Sequence, residues 1–117
     1  MKRTALVLVM VVLLGMLAFA GSASAGDGCL LVDINNFTFR PNKLVAEQGQ
    51  CITVYNTDGD DHGVPHSLSS IKGWFDTGVF DGGWVTIDAP TQKGRYPFIC
   101  VVHPFMRGTL RVQGVFA

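Results

Sequence analysis

Short apolar runs, each followed by turn-forming residues, recur from residue 30 almost to the end of the chain, and none has the 3.6-residue period of a helix. Leu30, Val32 and Ile34 alternate with Leu31, Asp33 and Asn35, and the run at 51–55 alternates in the same way. Gly, Pro, Asn and Asp separate these runs, as in the polar stretch 56–61, which we interpret as a turn. The pattern predicts an all-β sandwich with strands near 30–34, 44–46, 51–55, 64–70, 84–88, 95–101 and 109–113, and a loop with one short strand over 71–83.

The first 25 residues have the pattern of a cleaved export signal. Lys2 and Arg3 precede a 16-residue apolar run over 5–20, and the small residues Ala-Ser-Ala at 23–25 fit a cleavage site. The run is shorter than the roughly 20 residues of a membrane-spanning helix. We therefore predict a signal peptide over 1–25 and a mature domain over 26–117, exported to the periplasm or another extracytoplasmic compartment and not stably inserted in the membrane.

Size and charge limit what the mature chain can do. Removing 25 of the 117 residues leaves 92, enough for one small domain. Cleavage would remove two of the nine basic residues and none of the nine acidic ones, so the formal net charge changes from 0 to −2. A net negative charge disfavours binding to nucleic acid or other polyanions.

Three cysteines in a chain bound for an oxidising compartment leave at least one that an internal disulfide does not explain. Cys29 and Cys51 each stand near the start of a predicted strand, on the side opposite its apolar residues. A disulfide between these two cysteines is therefore plausible. The alternative is lipidation of Cys29, but the preceding Gly-Asp-Gly at 26–28 lacks the small-and-leucine pattern of a lipoprotein signal. We favour the disulfide.

The third cysteine belongs to a motif that carries metal chemistry. Cys100, His103 and Met106 form Cys-x2-His-x2-Met at the end of one predicted strand and before the next, and His66 lies upstream. Two imidazoles and a thiolate with a weakly bound thioether are typical of a type 1, or blue, copper site for electron transfer. Zinc prefers four strong ligands, and a thioether is a poor one. The sequence therefore predicts one copper ion bound by His66, Cys100, His103 and Met106.

The spacing of these ligands also has a mechanical reason. Three of them lie on one tight loop and the fourth comes from a distant loop, so a rigid sandwich could hold the geometry in both oxidation states. Pro104, whose φ is fixed by its ring, stiffens the segment between His103 and Met106. His62 competes with His66 for the fourth position, but it follows several aspartates in the predicted polar turn. We expect His62 to be solvated.

The chain resembles the cupredoxins, and within them the branch of amicyanin, pseudoazurin-like proteins and plastocyanin. The segment 103–108, His-Pro-Phe-Met-Arg-Gly, is very similar to the amicyanin ligand loop. The segments 39–45 and 49–56 resemble the early strand pair of the family, and the likeness extends over 30–113. It implies a single-domain Greek-key sandwich of about eight strands, a mononuclear type 1 copper on the same four ligands, and one-electron shuttling between larger redox proteins.

One departure from the family pattern concerns the residue after the first ligand histidine. Family members usually carry Asn there, which links the two ligand loops through hydrogen bonds, one of them to the cysteine sulfur; this chain has Ser67. Hydrogen bonds around metal ligands tune the potential and the rigidity of a site. We therefore expect this departure to affect the reduction potential more than the identity of the metal.

The leading interpretation is an electron carrier and not an enzyme. Copper enzymes built from this fold need a second copper site or a second domain, and 92 residues with only His62 unassigned supply neither. We expect a monomer that docks transiently with a cytochrome c or with a periplasmic dehydrogenase or reductase. The alternative is a copper storage or delivery protein of the periplasm, which would favour exposed Met- or His-rich stretches.

The aromatic residues are predicted to lie either at the surface near the ligand loop or in the core. Phe105 and Pro104 flank the ligand loop and could form an apolar patch around an exposed edge of His103, through which electrons pass. The other aromatic residues near predicted strands are assigned to the core: Phe37, Phe39, Trp84, Tyr96 and Phe98.

Overall fold

Strands dominate the part of the chain described by the structure, a computed structural model that covers residues 28–114. The predicted signal peptide lies outside these residues. No helix within 28–114 is long and apolar enough to cross a membrane. In chain order the elements of this range are β1 (Leu30–Ile34), β2 (Phe39–Arg40), β3 (Lys43–Glu47), β4 (Cys51–Asn56), α1 (Thr57–His62), β5 (Ser69–Ser70), β6 (Trp84–Asp88), β7 (Gly94–Cys100) and β8 (His103–Gln113).

The eight strands form two four-stranded sheets. One sheet has the order β2-β1-β4-β6 and the other has the order β3-β8-β7-β5. β1 pairs with β4 in parallel, β3 pairs with β8 in parallel, and the remaining neighbours are antiparallel. The chain passes repeatedly from one sheet to the other, so each sheet contains strands from both halves of the sequence. The predicted all-β sandwich of about eight strands is confirmed.

The core lies between the two sheets and follows the period-2 alternation of the strands. Val32 and Ile34 of β1 pack in one buried cluster with Phe98 of β7 and Leu110 of β8. Burial of such a set removes apolar surface from water and is the main force that holds the sheets together. The fully buried large apolar side chains are Phe98, Ile34, Ile52, Leu68, Leu110, Val32 and Val54.

The predictions for the aromatic residues are partly wrong. Phe39, Tyr96 and Phe98 are buried as expected, but Phe37 is 39% exposed and Trp84 is 65% exposed. Trp84 starts β6 on the outer side of its sheet, where its ring lies 6.3 Å from that of Tyr55 on β4. Phe37 lies in the turn between β1 and β2, where no strand alternation decides which way a side chain points.

The predicted polar turn at 56–61 is a short helix, α1. The side chain of Asn56 accepts a hydrogen bond of 2.8 Å from the backbone N–H of Gly59, as an N-cap does. Gly63 ends the helix in the left-handed region, with φ of 67°. The helix contains no apolar residue, so the sequence lacked the periodicity that would have indicated it.

The ligand segments also differ from the sequence prediction. β8 begins at His103 and not near 109, because Cys100 and His103 pair across the hairpin and leave only two residues in the turn. In the stretch 64–70, only the last two residues form a strand. His66 instead makes an isolated pair of backbone hydrogen bonds with Phe80, of 3.1 and 2.9 Å. Cys100 and His103 thus sit at strand ends, His66 at a bridge and Met106 within β8, whereas the sequence predicted a tight loop for three of them.

Close packing at Gly108 holds β8 against the core. A Cβ atom at this position would lie 2.3 Å from Cζ of Phe98 and 2.6 Å from the carbonyl oxygen of Asn42. We expect Gly108→Ala to lower the free energy of unfolding by about 1–3 kcal/mol, as overpacking does. Urea denaturation measures the change, with Gly28→Ala as the control because its Cβ would meet nothing within 4 Å. Equal stability of the two variants would contradict this packing.

Candidate metal centre

Three donor atoms from distant parts of the chain converge at one end of the sandwich. Nδ1 of His66 lies 3.2 Å from Nδ1 of His103, and Sγ of Cys100 lies 3.6 Å from each of them. The point equidistant from all three atoms is about 2.0 Å from each, close to the metal-bond lengths of about 2.0 Å for imidazole nitrogen and about 2.3 Å for thiolate sulfur. His66 and Cys100 are fully buried and His103 is partly exposed, so solvent reaches the cluster only on the side of His103.

The hairpin of β7 and β8 supplies two of these residues and also contains Met106. Cys100 ends β7, His103 begins β8, and Met106 follows three residues later with only 3% of its surface exposed. His66 comes from the segment after α1, which is fixed by its bridge to Phe80. His62 is exposed at the end of α1 and is not part of the cluster. The structure therefore brings together His66, Cys100 and His103 and buries Met106 in the same hairpin.

A buried carboxylate that the sequence analysis missed orients His66. Oδ2 of Asp58 lies 2.8 Å from Nε2 of His66, and both side chains are almost fully buried. A carboxylate accepts from Nε2–H and so leaves the Nδ1 lone pair free for a metal. Burial by itself would raise the pKa of Asp58, but hydrogen bonds from the Phe37 backbone, from His66 and from the Asn36 backbone together hold this pKa below its usual value. Asp58 is therefore charged at neutral pH.

The same carboxylate fixes the turn between β1 and β2. Asn36 donates its backbone N–H to Oδ1 of Asp58 at 2.7 Å, and Phe37 donates its own to Oδ2 at 2.9 Å. Both turn residues have left-handed φ values, 54° and 56°, which non-glycine residues keep only where their surroundings hold them. The Phe37 ring then makes edge contacts with both imidazoles, at centroid distances of 5.2 Å to His66 and 5.0 Å to His103. Asp58 therefore orients His66 directly. By fixing Phe37, it also keeps an aromatic ring packed against both imidazoles.

Ser67 links the two ligand segments despite its short side chain. Its backbone N–H donates to Sγ of Cys100 at 3.4 Å, and its hydroxyl oxygen accepts from the backbone N–H of Val101 at 3.0 Å. The hydroxyl also hydrogen-bonds to that of Ser69 at 2.9 Å, and Ser69 donates to Asp76 at 2.7 Å. A serine at this position thus connects the His66 segment to the turn after Cys100, so this departure from the cupredoxin pattern keeps the connection.

Apolar side chains surround the exposed edge of His103. Phe105, two residues further on, is 69% exposed, and its ring lies 6.1 Å from that of His103 and 6.2 Å from that of Phe37. Pro104 is also exposed, in agreement with the predicted apolar patch. We call this surface the metal-end patch; its members are Phe37, Val101, Val102, Pro104 and Phe105.

The donor set fits copper. A buried thiol and two imidazole nitrogens with converging lone pairs are soft or borderline ligands, and no carboxylate among the described residues joins their cluster. Such a set on a small two-sheet sandwich defines a copper protein of the electron-transfer class.

Comparisons with known proteins agree with this class. The model of the Cupredoxin-like domain family matches residues 6–112, and the chain belongs to this family. It is 26% identical over 97 residues to an amicyanin from Paracoccus denitrificans. The match covers 79% of this chain and 71% of the relative. Family and donor set together identify copper, one ion per chain, as the cofactor.

Solved structures of copper proteins also match this chain. The Cu(I) form of an amicyanin variant is 26% identical, with a TM-score of 0.58, and the match covers 78% of this chain and 88% of that one. The Cu-containing nitrite reductase from Thermus scotoductus SA-01 is 27% identical, with a TM-score of 0.62. That match covers 74% of this chain but only 22% of the reductase, so the likeness extends to only part of the enzyme.

Proposed function

We propose that the protein is an exported electron carrier that shuttles single electrons between redox proteins, with copper held by His66, Cys100, His103 and Met106. The observation that carries this proposal is the convergence of Nδ1, Nδ1 and Sγ around one point about 2.0 Å from each, on backbone that paired strands and bridges hold in place. A bound copper ion supplies one-electron chemistry by alternating between Cu(II) and Cu(I).

The surrounding residues suit this role because they restrict movement at the ligands. Asp58 fixes the ring of His66, Ser67 donates its N–H to the sulfur of Cys100, and Phe37 packs on both imidazoles. Ligands held in this way rearrange little when the charge of the metal changes. Small rearrangement favours fast electron transfer and disfavours release of the metal.

The route for electrons in this proposal is the partly exposed His103. The metal-end patch around it offers a small apolar surface on which a partner can dock briefly, at the low end of the range of interface sizes. The partners are a cytochrome c or a periplasmic dehydrogenase or reductase, and the carrier itself works as a monomer. The likeness to amicyanin supports this role, and the chain spans too little of the nitrite reductase for us to propose catalysis.

A redox titration of copper-loaded protein 26–117 tests the function. An electron carrier should show one reversible transition with a slope of about 59 mV per tenfold change in the ratio of oxidised to reduced protein, and should keep its copper in both states. His66→Ala should abolish the transition and His62→Ala should leave it unchanged. Release of copper on reduction would instead favour the storage or delivery protein.

A further inference from the structure

The outward side of the second sheet carries a cluster of basic residues. Lys43 lies on β3, Arg95 on β7, and Arg107 and Arg111 on β8, and all four are exposed. Their neighbours in sequence, such as Leu44, Leu110 and Tyr96, are buried in the core, so strand alternation directs the four basic side chains to solvent. We call this surface the basic face.

The strand register places like charges side by side. Arg95 is directly opposite Arg111 in the antiparallel pair of β7 and β8, an arrangement that destabilises a sheet unless an opposite charge compensates it. No salt bridge joins any of the four basic residues to a carboxylate within residues 28–114. Glu47, at the far end of β3, is the only acidic residue at an outward position of β3, β7 or β8.

The basic face concentrates positive charge in a chain whose charges nearly balance. Residues 28–114 contain seven basic and eight acidic side chains, and four of the seven basic ones are on this face while seven of the eight acidic ones are elsewhere. Such a separation of charge orients an approaching partner before contact. A partner of opposite charge is therefore favoured on this side.

The basic face also contains two depressions. Two shallow cavities of about 320 Å³ each lie side by side on it, and Lys43 and Thr109 line both. Arg107 lines one cavity, and Arg95 and Arg111 line the other. Positive side chains thus border two adjoining depressions that carboxylate side chains can approach.

The basic face continues into the metal-end patch. Phe105 and Arg107 occupy alternate outward positions of β8, so the exposed aromatic ring and the first basic residue are neighbours on one side of the strand. One rigid partner can therefore cover both surfaces at once. This continuity favours an acidic protein over a lipid headgroup as the occupant.

We propose that the basic face docks a carboxylate-rich surface of the redox partner protein and so orients that partner over Phe105 and His103. The docking role rests on the proposed electron-carrier function, whereas the affinity for carboxylates rests on the basic face alone. Charges at the rim of an interface act mainly on the rate of association and on its salt dependence. Docking should therefore weaken steeply as ionic strength rises.

A decaglutamate peptide is the probe, titrated into Cu(I)-loaded protein 26–117 at low salt while amide NMR shifts are recorded. We expect shifts on β3, β7 and β8, and about tenfold weaker binding for Arg111→Glu, since exposed ion pairs contribute up to about 1 kcal/mol each. Arg40→Glu is the matched control, because Arg40 is an exposed strand arginine on the other sheet, and it should change binding by less than about twofold.

Equal weakening by the two variants would mean that only net charge matters and would overturn the proposal. Binding to phosphatidylglycerol vesicles without binding to the peptide would also overturn it, in favour of a membrane. The blue copper spectrum, recorded after the same samples have been oxidised to Cu(II), should be unchanged in both variants. A protein that lacks this spectrum but still binds the peptide at the basic face would refute the electron-carrier function and leave the carboxylate-binding surface standing.

Discussion

Replacing Asp58 with alanine should lower the free energy of unfolding by about 3–5 kcal/mol and weaken copper binding by about 10- to 100-fold. The carboxylate accepts three hydrogen bonds, from Nε2 of His66 and from the backbone N–H groups of Asn36 and Phe37. Without it, two backbone donors lose their partner and the turn loses what holds its left-handed conformation. The imidazole of His66 also becomes free to rotate, and Phe37 no longer stays against both rings.

Two measurements separate these effects. Urea denaturation of the copper-free protein gives the loss of stability, and competition with a Cu(I) chelator gives the loss of affinity. Asp61→Ala is the control, since Asp61 lies exposed in the same helix and its removal should change stability by less than about 0.5 kcal/mol. An Asp58→Ala variant as stable as this control, and with wild-type affinity for copper, would contradict the role assigned to the carboxylate.

Loss of the disulfide should lower the free energy of unfolding by about 3 kcal/mol, because it closes a loop of 22 residues. The predicted bond between Cys29 and Cys51 is present in the structure, so lipidation of Cys29 is not needed to account for this cysteine. It joins the starts of β1 and β4, which pair in parallel from Leu30 and Ile52 onward. Both strands then run toward the metal end, so the bond lies far from the copper ligands.

This placement predicts that stability and metal binding respond separately. The double variant Cys29→Ala, Cys51→Ala should unfold at lower urea concentration than wild type and yet show the same copper spectrum. Chemical reduction of the wild-type protein, with copper removed first, provides an independent check on the stability change. A double variant with an altered copper spectrum would show that the disulfide shapes the site as well as the fold.

The sequence predicted the fold well because its signals were local. Alternation in 30–34 and 51–55 is a property of consecutive residues, and the structure has strands at both places. The motif of Cys100, His103 and Met106 is equally local, since its members lie within seven residues of one another. His66 could be added because its imidazole completed a recognisable set of donors.

The features that the sequence did not predict depend on contacts between distant segments. Asp58 resembles its exposed neighbours Asp60 and Asp61 in sequence, and only the position of α1 against the β1–β2 turn buries it. Aromatic residues near strands usually lie in the core, but Asp58 fixes the turn that carries Phe37 over the imidazoles. The basic face likewise needed the strand register, since Lys43 is more than 50 residues from Arg95 in the chain.

The most direct test of the central claim is a titration of protein 26–117 with Cu(II), followed by visible absorption and electron spin resonance beside Cys100→Ser. We predict a strong thiolate-to-copper band that saturates at one equivalent, with the narrow copper hyperfine splitting of type 1 sites. Both signals should be absent in Cys100→Ser, because serine cannot supply the sulfur ligand. A colourless wild-type product, or colour that survives the substitution, would contradict the assignment of the copper site to these residues.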